Sequence, residues 1–154
     1  MLTDYIHFNS AISLFVWLML AHFIADWVFQ RESQAKRKHA ENKVRAGHAL
    51  EYATVVTIFA AAYPITAPPY CPVSIQLAFS LFILFSTHYM IDSYVFTAWI
   101  MKHISKNECA QTLETLEKEF TPPITNPINM IKAIGIDQIL HAIVLVTLAF
   151  WLTA

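Results

Sequence analysis

Apolar residues in this chain fall in long runs, and the charged residues fall between the runs. A run of about 20 apolar residues crosses a bilayer as a helix. The pattern predicts spans over about 11–30, 48–63, 73–101 and 128–152. The second is short, and it is closed by Pro64 and the Pro68-Pro69 pair, which do not continue a helix. The third is long enough to cross with tilt. Between the third and fourth runs, Cys109, Leu113, Leu116 and Phe120 recur at helical spacing. Glu108, Glu114, Glu117, Lys118 and Glu119 interleave with them. Ser105 with Glu108 reads as a capping box, and Pro122-Pro123 ends the pattern. This stretch, Lys102 to Pro127, predicts a short amphipathic helix on the membrane surface. The expected fold class is all-α: one polytopic domain with four transmembrane helices and one interfacial helix.

Composition agrees with this reading. Only 14% of the 154 residues are charged and 56% are hydrophobic, whereas a soluble domain carries about 25% charged residues. The formal net charge is −1, so the basic excess of a nucleic-acid binder is missing. Two cysteines, Cys71 and Cys109, make neither a disulfide framework nor a thiolate metal site. The residues before the first run hold no Lys or Arg, so no charged n-region of a cleaved signal is expected.

Charge also predicts orientation. The stretch Arg31–Gly47 holds Arg31, Lys36, Arg37, Lys38, Lys43 and Arg45. The remaining basic residues are Lys102, Lys106, Lys118 and Lys132, and the stretch Pro64–Pro72 is uncharged. With four spans, every basic residue falls on one side, which the positive-inside rule makes cytoplasmic. Both termini and Cys71 are then expected outside, and Cys109 inside. The run Lys36-Arg37-Lys38 reads as a surface that attracts lipid headgroups, with a phosphate site as the alternative. His7, His39 and His103 read as solvated or interfacial.

Three aspartates interrupt the apolar runs, and each has a histidine four residues away: His22 with Asp26, His88 with Asp92, Asp137 with His141. Residues four apart share a helix face. The first and third spans run inward and read His then Asp; the fourth runs outward and reads Asp then His. All three aspartates therefore face the cytoplasmic side of the bilayer, with the histidines about 6 Å deeper. His48 opens the second span, with Glu51 one turn on. A single such pair reads as a hydrogen-bonded clasp; three at matching depth read as a site.

Gathered carboxylates repel one another and need a cation. No Lys or Arg is expected at that depth, which leaves a metal. Imidazole with carboxylate suits zinc, manganese or iron. His22, Asp26, His48, His88, Asp92, Asp137 and His141 are the candidate ligands for one or two divalent ions. Gln30 and Gln138 flank the aspartates as candidate outer hydrogen-bond partners; Gln138 is expected about 100° away from the Asp137 face.

The run HFIADWVFQ from His22 to Gln30, the lone His48, HYMID and DQILH occur in that order. The set resembles the small bacterial and phage membrane proteins catalogued as domain of unknown function 3307, over nearly the whole chain. That resemblance implies a bacterial inner-membrane location and no particular activity. The pattern is also distantly similar to inner-membrane metal-dependent hydrolases, which carry paired His and Asp in several spans. No HExxH string is present.

Two functional readings follow. In the first, a metal supplies hydroxide from bound water, with Asp26, His48 or Asp92 moving protons, and the substrate is a lipid-like ester or phosphoester. In the second, the same His/Asp cluster forms a transport or proton pathway in a homo-oligomer. Membrane lipid is the expected surrounding partner in both.

Overall fold

A computed structural model describes residues 2–63, 72–93, 95, 97, 99–100 and 127–154. The amphipathic stretch 102–126, Cys71 and Cys109 lie outside the described residues. Every element among the described residues is helical. Helix α1 is Leu2–Phe23 and runs into a π-helical segment, Ile24–Val28. A short α2, Glu32–Arg37, precedes α3, Asn42–Ala62. Helix α4 is Val73–Ile91, and α5 is Pro127–Thr153.

Helix α1 packs against α3 and α5, and α4 packs against the same two, which closes a four-helix ring with α2 laid on α3. Contacts along the helices set their directions. Phe8 near the start of α1 meets Phe150 near the end of α5. Trp17 of α1 donates its indole N–H to the Phe59 carbonyl of α3 at 2.8 Å. Phe79 early in α4 meets Trp151 late in α5. So α1 and α4 run one way, and α3 and α5 the other.

The core between them holds Leu14, Leu18, Val56, Leu84, Leu145 and Leu152, all fully buried. Ala49, Ala53 and Ala60 on α3 are also fully buried. Small residues there let the backbones approach closely, the usual basis of helix association in lipid. The outside is apolar too: Val16, Ile58, Phe82 and Ile143 are more than half exposed. A bundle apolar inside and out has lipid as its natural solvent.

Among the described residues, three helical stretches are long and apolar enough to cross a membrane: Phe8–Val28, Val73–Ile91 and Ile131–Thr153. Helix α3 has 21 residues and completes the ring. Asn42, Lys43, Arg45, His48 and Glu51 occupy its first three turns and lower its mean hydropathy. It starts six residues before the expected second span.

Candidate metal centre

The four helices bring their polar residues together at one end of the ring, where α1 and α4 finish and α3 and α5 begin. Asp26 lies in the π segment, closed by the Phe29 N–H bond to the Ile24 carbonyl at 3.0 Å. One extra residue per turn re-aims a helix face, and such segments recur at functional sites. His48 comes from the second turn of α3, His88 from the last turn of α4, and Asp92 caps α4. His22, His48, His88, Asp92 and His141 are at most 2% exposed.

Two groups among the described residues are close enough to hold a metal ion: Asp26 with His48 and His88, and His88 with Asp92 and His141. Hydrogen bonding separates them. His141 Nδ1 lies 2.9 Å from the Asp137 carbonyl oxygen, which can only accept, so this nitrogen carries the proton. In a neutral ring, Nε2 of His141 is then an acceptor. It takes the N–H of His88 Nδ1 at 2.7 Å. The remaining nitrogen of His88, Nε2, is left with a lone pair, buried and without a hydrogen-bond partner.

That lone pair faces carboxylates. His88 Nε2 is 3.2 Å from Asp92 Oδ2 and 4.0 Å from Asp26 Oδ1. His48 Nε2 is 3.0 Å from Asp26 Oδ1 and 3.5 Å from Asp92 Oδ2. Asp92 Oδ2 is likewise buried without a hydrogen-bond partner. A tetrahedral ion with bonds of about 2.0–2.1 Å holds its ligand atoms about 3.4 Å apart. The quartet of His48, His88, Asp26 and Asp92 brackets that spacing. His88 Nδ1 and His141 Nε2, at 2.7 Å, are too close to serve one ion together and fit a hydrogen bond.

His22 and Asp137 stand one layer back. Gln138 donates its amide to Asp137 Oδ2 at 3.1 Å. Its carbonyl oxygen then accepts from His22 Nε2 at 3.0 Å, and His22 Nδ1 accepts the Tyr52 hydroxyl at 3.1 Å. Gln138 thus reaches back to Asp137 across the expected 100° offset, because its long side chain spans the turn. Asp137 Oδ2 is 3.7 Å from His141 Nδ1 and belongs to neither metal-capable group. Tyr52, four residues after His48, stacks on His88 with ring centroids 3.7 Å apart. That i, i+4 relation was the available signal for it.

The absence of a nearby Lys or Arg is the expectation that fails. Lys38 is buried, with Nζ 3.1 Å from Asp92 Oδ1 and 3.4 Å from Asp26 Oδ1. Burial works against its charge, but the Asp92 and Asp26 carboxylates outweigh it and hold Lys38 above the ordinary lysine range. The cause is the fold of the polar stretch. Arg45, itself buried, binds the Lys38 carbonyl through Nε at 3.0 Å and Asn42 through Nη2 at 2.9 Å. Its guanidinium lies 5.0 Å from the Tyr89 ring centroid. His39 donates from Nδ1 to the Asp92 carbonyl at 2.8 Å, so it is part of the site's frame and not a solvated residue. Arg37 faces out to Glu41, while Lys38 turns in, so the basic run is not one headgroup-facing patch. Gln30 contacts both Asp26 Oδ1 at 3.5 Å and His48 Nε2 at 2.8 Å, the outer partner role expected for it.

A sequence model of the family described as protein of unknown function (DUF3307) matches residues 14–154. No curated protein and no solved structure matches the chain.

Proposed function

The chain belongs to the DUF3307 family, whose description states no activity, and we propose from the site itself that it is a metal-dependent hydrolase of a membrane-associated ester or phosphoester. The observation that carries this is the buried, unpartnered pair His88 Nε2 and Asp92 Oδ2, with His48 Nε2 3.5 Å from the carboxylate oxygen. With His48 as a third ligand, whose Nε2 a metal would take over from the Gln30 amide at 2.8 Å, one position remains, which makes a catalytic set.

Asp26 takes a different part. Its Oδ1 already receives Lys38 and Gln30, and it lies 4.0 Å from His88 Nε2 against 3.2 Å for Asp92 Oδ2. That suits a general base beside the open position better than a ligand. A divalent ion (zinc, manganese or iron) would supply a water nucleophile at neutral pH and polarise the substrate oxygen. Asp26 would accept the proton, and Lys38 and Gln30 would hold its carboxylate in place. In this reading α3 is the fourth span, both termini lie outside, and the site opens toward the cytoplasmic headgroups.

The test is metal content and turnover of the full chain purified in detergent. Wild type should carry close to one ion and Asp92→Asn almost none. Asp26→Asn should keep the ion and lose release of phosphate or fatty acid from phospholipid vesicles. A protein without stoichiometric metal, which zinc and manganese neither stabilise nor activate, ends the hydrolase reading. The second reading, a proton pathway in an oligomer, has its own support in the His141 Nε2–His88 Nδ1 hydrogen bond, with the Asp137 carboxylate 3.7 Å from His141 Nδ1. Proton flux in proteoliposomes, lost in His141→Ala, would favour it.

A further inference from the structure

Lys38 has no role in the sequence-level case for a metal, yet it touches three of the four site residues. Its Nζ lies within 3.4 Å of Asp26 Oδ1, Asp92 Oδ1 and His48 Nε2. Asp92 divides its oxygens: Oδ1 takes Lys38, and Oδ2 stays free toward His88 and His48. Lys38 therefore does not occupy the oxygen that a metal would use; of the metal-facing atoms it touches His48 Nε2, at 3.4 Å.

Charge then depends on the metal. Asp26, Asp92 and Lys38 leave the layer that a ligand would touch at a net −1, which repels anions. A divalent ion reverses that layer to +1. Access points the same way. The Lys38 and Asp26 side chains keep 9% and 6% exposure, against 0–1% for His88, His48 and Asp92. Within the quartet layer the Lys38 edge is thus the less covered one, while the Asp137 side chain one layer back keeps 13%.

Resting on the metal reading above, we propose that Lys38 and the metal together form a phosphate receptor, with Lys38 the residue that selects an anionic substrate group. The three N–H donors of Lys38 face Asp26, Asp92 and His48, and a metal on His48 Nε2 would free the third for a phosphoryl oxygen beside the open position, giving that group two cationic contacts at once. Binding is ordered: the anion enters only after the divalent ion. Linkage makes the coupling reciprocal, so phosphate must tighten metal binding by the same factor that metal tightens phosphate.

The experiment uses full-length protein in detergent with manganese, and inorganic phosphate as the probe, read by calorimetry and by thermal unfolding. Wild type should bind phosphate with manganese present and not after chelation. Lys38→Gln should keep its manganese and lose about ten- to hundredfold in phosphate affinity, the worth of one charge-assisted hydrogen bond. Lys38→Arg should restore most of it, which guards against a folding defect in the Gln variant. Arg37→Gln, on the outward-facing neighbour, should change nothing. Vesicles of phosphatidic acid, against phosphatidylcholine, identify the source. Stronger binding to phosphatidic acid than to free phosphate marks a lipid headgroup, and the reverse marks a soluble phosphate; either supports the receptor. Manganese-loaded Lys38→Gln that binds phosphate like wild type overturns the role of Lys38 and leaves the metal reading intact. Wild type that binds no manganese overturns both.

Discussion

Breaking the Lys38–Asp92 pair is the most direct test of how this site is held together without metal. Asp92→Asn keeps the shape of the side chain and removes its charge. Attraction over 3.1 Å is worth roughly 5 kcal/mol at an effective dielectric of about 20. Desolvation costs several kcal/mol per ion, so the intact pair comes out near break-even against apolar packing. Removing one partner is different, because a buried ammonium is left behind. A broken buried pair costs about 3–5 kcal/mol. Asp26 remains 3.4 Å from Nζ and shares the load, so the low end, about 3 kcal/mol, is expected. Lys38→Met in the same protein removes the stranded charge. The double variant should therefore fall short of the sum of the singles by about 1.5 kcal/mol or more. The assay is reversible unfolding in mixed detergent micelles with a chelator present, followed by circular dichroism. Additivity within about 0.5 kcal/mol would refute the buried contact, since uncoupled sites add to that precision.

Asp137→Asn should retain the metal that Asp92→Asn loses, as measured by metal content, because its carboxylate lies outside the quartet. Cys71 should react with an impermeant thiol reagent on spheroplasts and Cys109 should not; the opposite pattern would invert the proposed topology. His39 gives the pH test. Burial is the larger effect on it, beyond the Asp92 carbonyl contact, and lowers its pKa below the usual histidine value. A lowered histidine contributes stability that is present above about pH 6.5 and lost as pH falls below it. Unfolding of wild type against His39→Gln should diverge above that pH and converge below it.

The spans were legible because bilayer thickness acts on local sequence: apolar runs became α1, α4 and α5, with α5 within one residue of the expected 128–152 at each end, whereas α1 begins nine residues before residue 11 and α4 ends at Ile91, ten before residue 101. Helix α3 was legible as an element, but its start was not. The residues that open it, Asn42 to Gly47, hold only Val44 and Ala46 as apolar side chains, too few to extend the apolar run, and they are helical because they pack beside α2 and hold Arg45 in place. The π segment had no signal either, since one inserted residue in a helix does not alter composition.

For the site, the chain alone determined which residues pair within a helix. A rise of about 1.5 Å and 3.6 residues per turn put each histidine and aspartate on one face. Distances between helices belong to packing, and only packing ranked the seven candidates. It drew His48, His88, Asp26 and Asp92 into one quartet, and tied His22 and Asp137 to Gln138 behind them. Packing also decided Lys38. Its neighbour Arg37 has the same charge and the same local sequence, yet one faces solvent and the other is buried. The difference arises where the turn after α2 folds back and Arg45 grips the Lys38 carbonyl, a side-chain contact to the backbone across a turn that the pattern of apolar and polar positions does not encode.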